Sequence, residues 1–400
     1  MELKTNDLAK ALNIAAIPIE RRNTIPILSH VAIRANGESF IELRATNLDQ
    51  EVTLTAPAMN GSALAACFDR PDALARLIRA GGGETVTIDM IEGMKANLRA
   101  GELAGVINTL PVDDYPVIAA AFSPTFEAEL GADAIDMILR VSGAMSSEET
   151  RYYLNGVFFH HVEGWTYRAA ATDGHRLYMG TIELPNAKGV QFAGKGKDGG
   201  IIIPKDAIRH LIRLRSFAKR DTPITFRVGD KGGNGAPSLT EPAKGMPIAR
   251  FAIDCHGFPA ELTTKLIDGT FPDYMRVVPN YGDQEPQVVF RRADLRRAID
   301  GITAGMSEKT RAVKLTFDGD KLIVSAKWVD MGFEGKIAIP AKTNSRSPFE
   351  IGFNGQYLRS LIDASRGDEL VLVTHDSASP GSIVDPAGSD FRAVLMPMRV

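Results

Sequence analysis

Apolar residues recur with helical spacing in six segments of the chain: residues 5–16, 69–80, 132–143, 205–220, 291–301 and 355–366. Residues three and four positions apart share one face of a helix, so each segment predicts an amphipathic helix packed on a core. Elsewhere apolar and polar residues alternate, which is typical of strands with one buried face. The clearest of these strands are 40–45, 84–89, 167–171, 223–228, 321–326 and 369–374.

The same order of helix, strands, second helix and further strands occurs three times. The second helices align on Leu77, Leu211 and Leu361, each followed by Ile and then an alternating strand. Asp114-Tyr-Pro116 and Phe271-Pro-Asp-Tyr274 are similar short segments near the ends of two repeats. Self-similarity at this period indicates repeated domains. We therefore predict three α+β domains, each with two helices packed on antiparallel sheets, spanning 1–124, 125–284 and 285–400.

The composition is that of a globular protein, and 400 residues are too many for one ordinary core. No apolar run is long enough for a membrane span, and the N-terminus lacks the pattern of a secretory signal, so a cytoplasmic location is expected. Cys67 and Cys255 lie far apart, which predicts buried thiols and no disulfide framework. The seven histidines form no cluster with metal-ligand spacing, so no metal site is expected.

Charge is distributed unevenly along the chain. The net charge is −3, yet the six helical segments hold 17 Lys and Arg against 9 Asp and Glu, while the remainder is acidic. A basic surface confined to helices could attract phosphates while the acidic remainder limits other binding. The helices hold few aromatic residues, so duplex backbone is a better partner than stacked single strands. Simple solvation of these charges is the alternative interpretation.

One glycine-rich segment, residues 189–199, matches two sequence motifs of nucleotide-binding enzymes. Gly189–Gly196 reads G-x-x-x-x-G-K, but Gly196 stands where a phosphate loop needs Ser or Thr to bind magnesium. Gly194, Gly196 and Gly199 match a dinucleotide fingerprint without a clear strand before it, so a surface loop is the better interpretation. Residues 229–247 also predict a long loop. Asp173 and His175 could suggest acid–base chemistry, but a tight Asp-Gly turn, capped by Asp173, accounts for them.

Three stretches carry a family resemblance: Ala171-Thr-Asp-Gly-His-Arg-Leu-Tyr178, Arg151-Tyr-Tyr-Leu-Asn-Gly156 and Met396-Pro-Met-Arg-Val400. Together they resemble the bacterial DNA polymerase III β subunits, the β sliding clamps, over nearly the whole chain from Arg22. The resemblance implies a non-catalytic processivity factor that encircles duplex DNA without reading sequence and tethers the replicative polymerase. It implies a head-to-tail homodimer closed into a ring, with helices toward the hole and sheets outside, and no cofactor. The implied partners are the polymerase III catalytic subunit, an ATP-driven clamp loader, and other polymerases and repair proteins with clamp-binding peptides.

The resemblance also implies two sets of site residues. Toward the DNA it places Arg22, Arg76, Arg79, Arg140, Lys205, Arg209, Arg213, Arg296, Arg297 and Arg359. In a pocket for partner peptides it places Arg151, Tyr153, Leu154, Thr172, Gly174, His175, Arg176, Leu177, Pro272, Val277, Tyr357, Ser379, Val394, Leu395, Met396, Pro397, Met398 and Arg399. Leu, Val, Pro and Met accept apolar anchors, while Arg and His bind polar ends of a peptide.

Two departures from the family pattern stand out. Gly105 and the Ala304-Gly305 pair replace bulky apolar residues at the implied subunit contact, which would bury less area. Ser146-Ser-Glu-Glu149 is acidic where relatives approach DNA. Two alternatives stay open: a monomeric or open-arc peptide-binding scaffold without ring closure, and a nucleotide-binding enzyme using residues 189–199.

Overall fold

The computed structural model describes residues 1–20, 23–60, 64–118, 122–189, 199–231, 247–280, 287–304, 312–328, 332–344, 348–385 and 390–400. Within these ranges the α-helices are α1 Thr5–Ala15, α2 Pro71–Ala80, α3 Ala132–Ser142, α4 Lys205–Arg215, α5 Arg292–Thr303 and α6 Gly355–Ala364. All six predicted helices are confirmed. α4 ends five residues early because Phe217 and Ala218 donate to carbonyls three residues back, Leu214 and Arg215, which tightens and stops the helix.

The strands in the same ranges are β1 Glu2–Lys4, β2 His30–Asn36, β3 Phe40–Thr46, β4 Gln50–Pro57, β5 Ala65–Asp69, β6 Thr85–Ile91, β7 Lys95–Ala100, β8 Leu103–Leu110, β9 Phe122–Leu130, β10 Gly156–Glu163, β11 Thr166–Thr172, β12 Arg176–Glu183, β13 Ile201–Pro204, β14 Ile224–Lys231, β15 Pro247–Asp254, β16 Pro259–Lys265, β17 Gln287–Arg291, β18 Ala312–Asp318, β19 Lys321–Trp328, β20 Phe333–Thr343, β21 Phe349–Asn354, β22 Glu369–Val373, β23 Gly381–Val384 and β24 Arg392–Leu395. Short 3₁₀ segments include Glu149–Leu154 and Tyr274–Val277.

The strands repeat in groups of eight with one pairing pattern, and all pairs are antiparallel. In the first group β1 pairs with β6, and β2 pairs with β3 and β5. The counterparts are β9 with β14, and β10 with β11 and β13. The third group repeats this with β17 and β22, and with β18 between β19 and β21. The predicted threefold α+β repeat is therefore confirmed.

The chain forms two compact units, each built on one twelve-stranded sheet of the described residues. Unit 1 comprises Met1–Ala132, Leu184–Ala193 and Asp206–Asp268, and unit 2 comprises Asp133–Glu183, Gly194–Lys205 and Gly269–Val400. The second repeat contributes strands to both sheets. In unit 1, β4 of the first repeat pairs with β16; in unit 2, β12 pairs with β24 of the third repeat. Both junctions join the fourth strand of one repeat to the eighth strand of the next.

Helix pairs bury their apolar faces on these sheets. In unit 1, α1 packs against α2, with Leu8 and Ile78 at most 1% exposed. In unit 2, α5 packs against α6, with Leu295 and Leu361 fully buried. Removing such side chains from water supplies roughly 1.5–3 kcal/mol each. Across the described ranges, no helix is both long and apolar enough to cross a membrane.

Candidate functional site

A cavity of about 310 Å³ opens on unit 2, with walls from four parts of the chain. The β11–β12 turn, the 3₁₀ segment before β10, the segment after Phe271 and the end of β24 all contribute. Its lining consists of Arg151, Tyr153, Leu154, Thr172, Gly174, Arg176, Leu177, Pro272, Asp273, Tyr274, Val277, Val394 and Met396. Mostly apolar walls with a few polar groups are typical of a site for a small ligand or peptide anchor.

The turn between β11 and β12 is held by its own side chains. Asp173 Oδ1 accepts hydrogen bonds from the backbone amides of His175 and Arg176, at 3.0 and 3.1 Å. Thr172 Oγ1 accepts from the Gly174 amide and donates to the Arg176 carbonyl. Gly174 has φ +90°, a conformation that favours glycine. Asp173 therefore acts as the predicted turn cap.

Two arginines form the polar rim of the cavity. Arg151 donates to both carboxylate oxygens of Glu148, at 2.6 and 2.8 Å, and this hydrogen bonding lowers the pKa of Glu148. Arg151 Nη2 also donates to the Asp173 carbonyl. Arg176 Nε donates to Asp173 Oδ2 at 3.0 Å, and both side chains are 14% exposed. The acidic residue Glu148, noted in the sequence as unsuited to DNA contact, thus orients a rim arginine.

The apolar wall follows from the pairing of β12 with β24. Leu177 lies opposite Val394, and each is 2% exposed. Beyond the strand, the Met396 amide donates to the His175 carbonyl at 2.9 Å, while the Met396 side chain is 44% exposed. Val277, which also lines the cavity, is 49% exposed. Exposed Met and Val beside buried Leu offer a surface that can adapt to an apolar anchor.

Eleven of the eighteen pocket residues expected from the sequence line this cavity. Asp273 and Tyr274 also line it and were missed, although the echo between Asp114-Tyr115 and Asp273-Tyr274 marked them as a repeated structural feature. The seven outside the lining are His175, Tyr357, Ser379, Leu395, Pro397, Met398 and Arg399.

Two of these seven are connected to the cavity lining through Arg176. His175 stacks on Tyr357 with ring centroids 6.1 Å apart, and the Arg176 guanidinium lies 4.7 Å over the Tyr357 ring. Leu395 is buried between β12 and β23, so its side chain serves the core. The Met398 amide donates to the Gly352 carbonyl on β21, which holds the C-terminal residues against that strand. The Ser379 amide donates to Asp376.

The basic residues expected to face DNA differ in how available they are. Arg79 and Arg213 are exposed and form no ion pair with any described residue. Arg76 on α2 pairs with Asp72 one turn earlier, and the same arrangement recurs for Arg209 on α4 and Arg297 on α5. Arg296 and Arg359 share Asp300, and Lys205 donates to Ser147 Oγ at 2.6 Å. Arg22 lies outside the described residues.

Arg140 is a correction to the sequence interpretation. Its side chain is 4% exposed, where a phosphate contact requires an exposed cation. Nε donates to the Ala364 carbonyl at 2.6 Å, Nη2 lies 3.6 Å from Asp385 Oδ2, and the guanidinium covers the Phe391 ring. Desolvation lowers its pKa. Arg140 therefore joins parts of unit 2, and its buried side chain is not exposed for a phosphate contact.

Most residues of the glycine-rich motifs, on which the hypothesis of a nucleotide-binding enzyme depends, lie outside the described residues. Residues 190–198 of the Gly-rich segment and 232–246 of the second predicted loop are among the residues that are not described. In the described part of the chain, no group of three His, Cys, Asp or Glu side chains could hold a metal ion. Cys67 and Cys255 are buried, and desolvation raises their pKa values to about 11 and about 12. Such thiols are poor nucleophiles.

Comparison with known proteins gives a match along nearly the whole chain. Three sequence models of the DNA polymerase III beta subunit match in order: the N-terminal domain at residues 1–119, the central domain at 132–273 and the C-terminal domain at 275–399. The chain therefore belongs to the DNA polymerase III beta subunit family.

Individual relatives agree in length and fold. A beta sliding clamp of Caulobacter vibrioides is 31% identical, with 98% of each chain covered, and the beta sliding clamp of Escherichia coli K12 is 27% identical over the same shares. The solved structure of a sliding clamp from Bartonella birtlesii bound to griselimycin has a TM-score of 0.83 and 30% identity. That comparison covers 100% of this chain and 99% of the other.

Proposed function

We propose that this chain is a DNA sliding clamp, which encircles duplex DNA and tethers the replicative polymerase without performing chemistry itself. The observation that carries the proposal is the ordered match of all three beta-subunit domains over nearly the entire chain. The expected partners are duplex DNA of any sequence, a second copy, the polymerase III catalytic subunit, a clamp loader and other proteins with clamp-binding peptides. A cytoplasmic location and domain limits of 1–124, 125–284 and 285–400 belong to the same proposal.

Ring closure would follow from the strand pattern. Two junctions join a fourth strand to an eighth strand, β4 with β16 and β12 with β24. The remaining fourth and eighth strands are β20 and β8. Along Phe333–Pro340 of β20 and Leu103–Asn108 of β8, only one edge pairs with a described strand. Open edges invite pairing, so we propose that β8 joins β20 of a second copy, and the reciprocal contact closes the dimer.

Side chains at these edges favour the same contact. Val106 is 58% exposed and Phe333 is 46% exposed, so each edge offers an apolar side chain to a partner. Gly105 adds no side chain there, as the sequence indicated, and Gly305 lies outside the described residues.

For DNA, we propose that Arg79 and Arg213 are the first phosphate contacts, since no described carboxylate neutralises them. Arg76, Lys205, Arg209, Arg296, Arg297 and Arg359 remain in the proposed set, with Arg22. Contacts to phosphate alone carry no sequence information and allow sliding.

We propose that the unit 2 cavity binds an apolar anchor of a partner peptide, with Arg151 and Arg176 meeting polar groups at the rim. The likeness to a clamp bound to griselimycin supplies a probe. Deleting Met396–Val400 removes Met396 from the cavity wall but leaves β24 intact. We expect griselimycin affinity to be lost while the circular dichroism spectrum is unchanged. Normal griselimycin affinity of the deletion variant would overturn the pocket assignment.

A topological experiment tests the clamp function. Purified protein is loaded by its clamp loader and ATP onto a nicked circular plasmid, and the plasmid complex is isolated by gel filtration. A single-cutting restriction enzyme then linearises half of the sample. A ring held by topology should slide off the free ends, so the protein should leave linear DNA and stay on circles.

Two outcomes contradict the proposal. Equal retention on circular and linear DNA would indicate direct affinity without encirclement. No retention on either DNA, together with griselimycin binding, would indicate the open-arc scaffold. As a control, a catalytically inactive restriction enzyme must leave the retained fraction unchanged.

A further inference from the structure

One wall of the cavity depends on a buried contact behind it. Tyr274 lines the cavity but is only 4% exposed, and its hydroxyl lies 2.8 Å from His160 Nε2. His160 belongs to β10, is 6% exposed and does not line the cavity. The contact thus joins the segment after Phe271, which supplies four lining residues, to a strand of the sheet.

The direction of this hydrogen bond follows from the second ring nitrogen. His160 Nδ1 lies 3.0 Å from the His161 carbonyl, which can only accept, so Nδ1 carries the proton. In the neutral ring Nε2 is then an acceptor, and the Tyr274 hydroxyl donates to it. Because the pair is buried, losing either partner would leave a polar group without this bond away from water, which is costly.

Aromatic stacking reinforces the same connection. Phe158 stacks on His160 with centroids 4.9 Å apart, and on Phe271 at 4.8 Å and an interplanar angle of 2°. Phe158 and Phe271 are each 6% exposed. The sheet therefore holds the start of the cavity wall by stacking and its middle by the His160 hydrogen bond.

The first repeat provides an internal comparison. Its corresponding tyrosine, Tyr115, donates to the His30 carbonyl and accepts from the Thr46 amide, so its hydrogen bonds within the described part of the chain are with backbone atoms. His30 on β2 pairs with the last residue of β5, and Gly156 on β10 pairs with the last residue of β13, so these two positions correspond. Four residues further along each strand, Arg34 of the first repeat corresponds to His160 of the second. Arg34 is half exposed and pairs with Asp113. Tyr115 also lines a cavity, of about 360 Å³ on unit 1, but among the described residues a side-chain hydrogen bond holds the tyrosine of the second repeat and not that of the first.

We propose that His160 is a positioning residue of the peptide site, which keeps the Tyr274 wall in place so that the cavity is preformed for an apolar anchor. The inference rests on the proposed function, because it assumes that the cavity binds peptides. Preforming a wall lowers the ordering cost of binding, and its loss is expressed mainly in faster dissociation.

The test is a double-mutant cycle on griselimycin dissociation, measured by surface plasmon resonance on the full-length protein. His160→Phe keeps an aromatic ring but removes the acceptor, and Tyr274→Phe removes the donor. Each should speed dissociation by about tenfold, the scale of one buried hydrogen bond. Griselimycin should dissociate from the double variant no faster than from either single variant, since the two residues act as a pair. The dissociation rate of His160→Gln, which retains an acceptor, should stay within about threefold of the wild-type rate.

Tyr115→Phe is the matched control and should leave dissociation unchanged. Thermal unfolding by circular dichroism separates a purely structural role: a lower Tm of His160→Phe with wild-type dissociation would overturn the inference. Additive effects in the double variant would overturn it as well. Failure of the proposed function looks different, because wild-type protein would then not bind griselimycin, and the inference would fall with it.

Discussion

At the level of single residues, Asp173 and Gly174 determine the shape of the cavity rim. The carboxylate of Asp173 accepts two backbone amides and orients Arg176, while Gly174 adopts φ +90°. A Cβ at Gly174 would lie 2.6 Å from Arg151 Nη1, so a larger residue would also displace the rim arginine. The residues that looked like an acid–base pair in the sequence are those of a rigid turn.

His210 on α4 gives a prediction for pH. Desolvation lowers its pKa, with a further contribution from Arg213 and Arg209, and its Nδ1 is buried without a hydrogen bond among the described residues. The folded state therefore disfavours the charged ring, and its stability contribution is present above the unfolded pKa of about 6.5 and lost as pH falls.

Between about pH 7.5 and 5.5, the free energy of unfolding of wild type should fall more steeply than that of His210→Gln. Urea unfolding followed by circular dichroism at several pH values measures the difference. Parallel pH profiles for the two proteins would contradict the assignment.

At the scale of secondary-structure elements, α3 is joined to α6 and to the end of β23 by a buried cation. Arg140 donates to the Ala364 carbonyl and lies beside Asp385, which also accepts the amides of Arg366 and Gly367. Arg140→Ala should destabilise the protein by about 3–5 kcal/mol, because it breaks a buried ion pair by removing the cation beside the Asp385 carboxylate.

Arg366→Ala is the matched control, since Arg366, which follows α6, forms an exposed pair with Asp136 on α3, the helix that carries Arg140. Exposed pairs contribute about 0–1 kcal/mol, so this variant should stay near wild type in urea unfolding. Equal loss of stability in both variants would show that burial of Arg140 is not what matters.

The basic helix faces give a second prediction at this scale. Arg79→Glu with Arg213→Glu should lower the salt concentration up to which a short linear duplex retains the protein by direct binding, because fewer phosphates are neutralised. The control is Arg34→Glu with Lys188→Glu, which changes the charge equally at exposed residues outside the helices. If both double variants respond alike to salt, overall charge and not the helix faces governs retention.

At the scale of the whole molecule, the strand pattern leaves β8 and β20 as the candidates for contact with a second copy. Val106→Asp places a charge on the exposed edge of β8 and should raise the dimer dissociation constant by at least about tenfold, since burying an unpaired charge is costly. Analytical ultracentrifugation over a dilution series measures this constant. Val162→Asp, at a residue 39% exposed on β10, is the control. Unchanged dimerisation of Val106→Asp would place the subunit contact elsewhere.

The periodicity of apolar residues was enough to predict the elements and their repetition. All six helices, the alternating strands and the threefold order were predictable, because helical and strand periodicities record which side of an element is buried. The Asp173 turn was predictable for a similar reason, since its hydrogen bonds join residues at most four positions apart. Eleven lining residues of the cavity were predicted from the family resemblance. A resemblance indicates which positions belong to a site, but it gives no distances between them.

Contacts between distant segments could not be predicted from the sequence and became visible in the folded chain. Whether Arg140 points outward or inward depends on packing against Phe391 and Ala364, more than 200 residues away, and helix periodicity cannot specify such partners. The same holds for Tyr274, whose place in the cavity wall depends on His160, 114 residues earlier. The local sequence pattern indicates which residues are buried, but long-range packing determines which residues they contact. The walls of the cavity come from segments that are distant in sequence, so they depend on that packing.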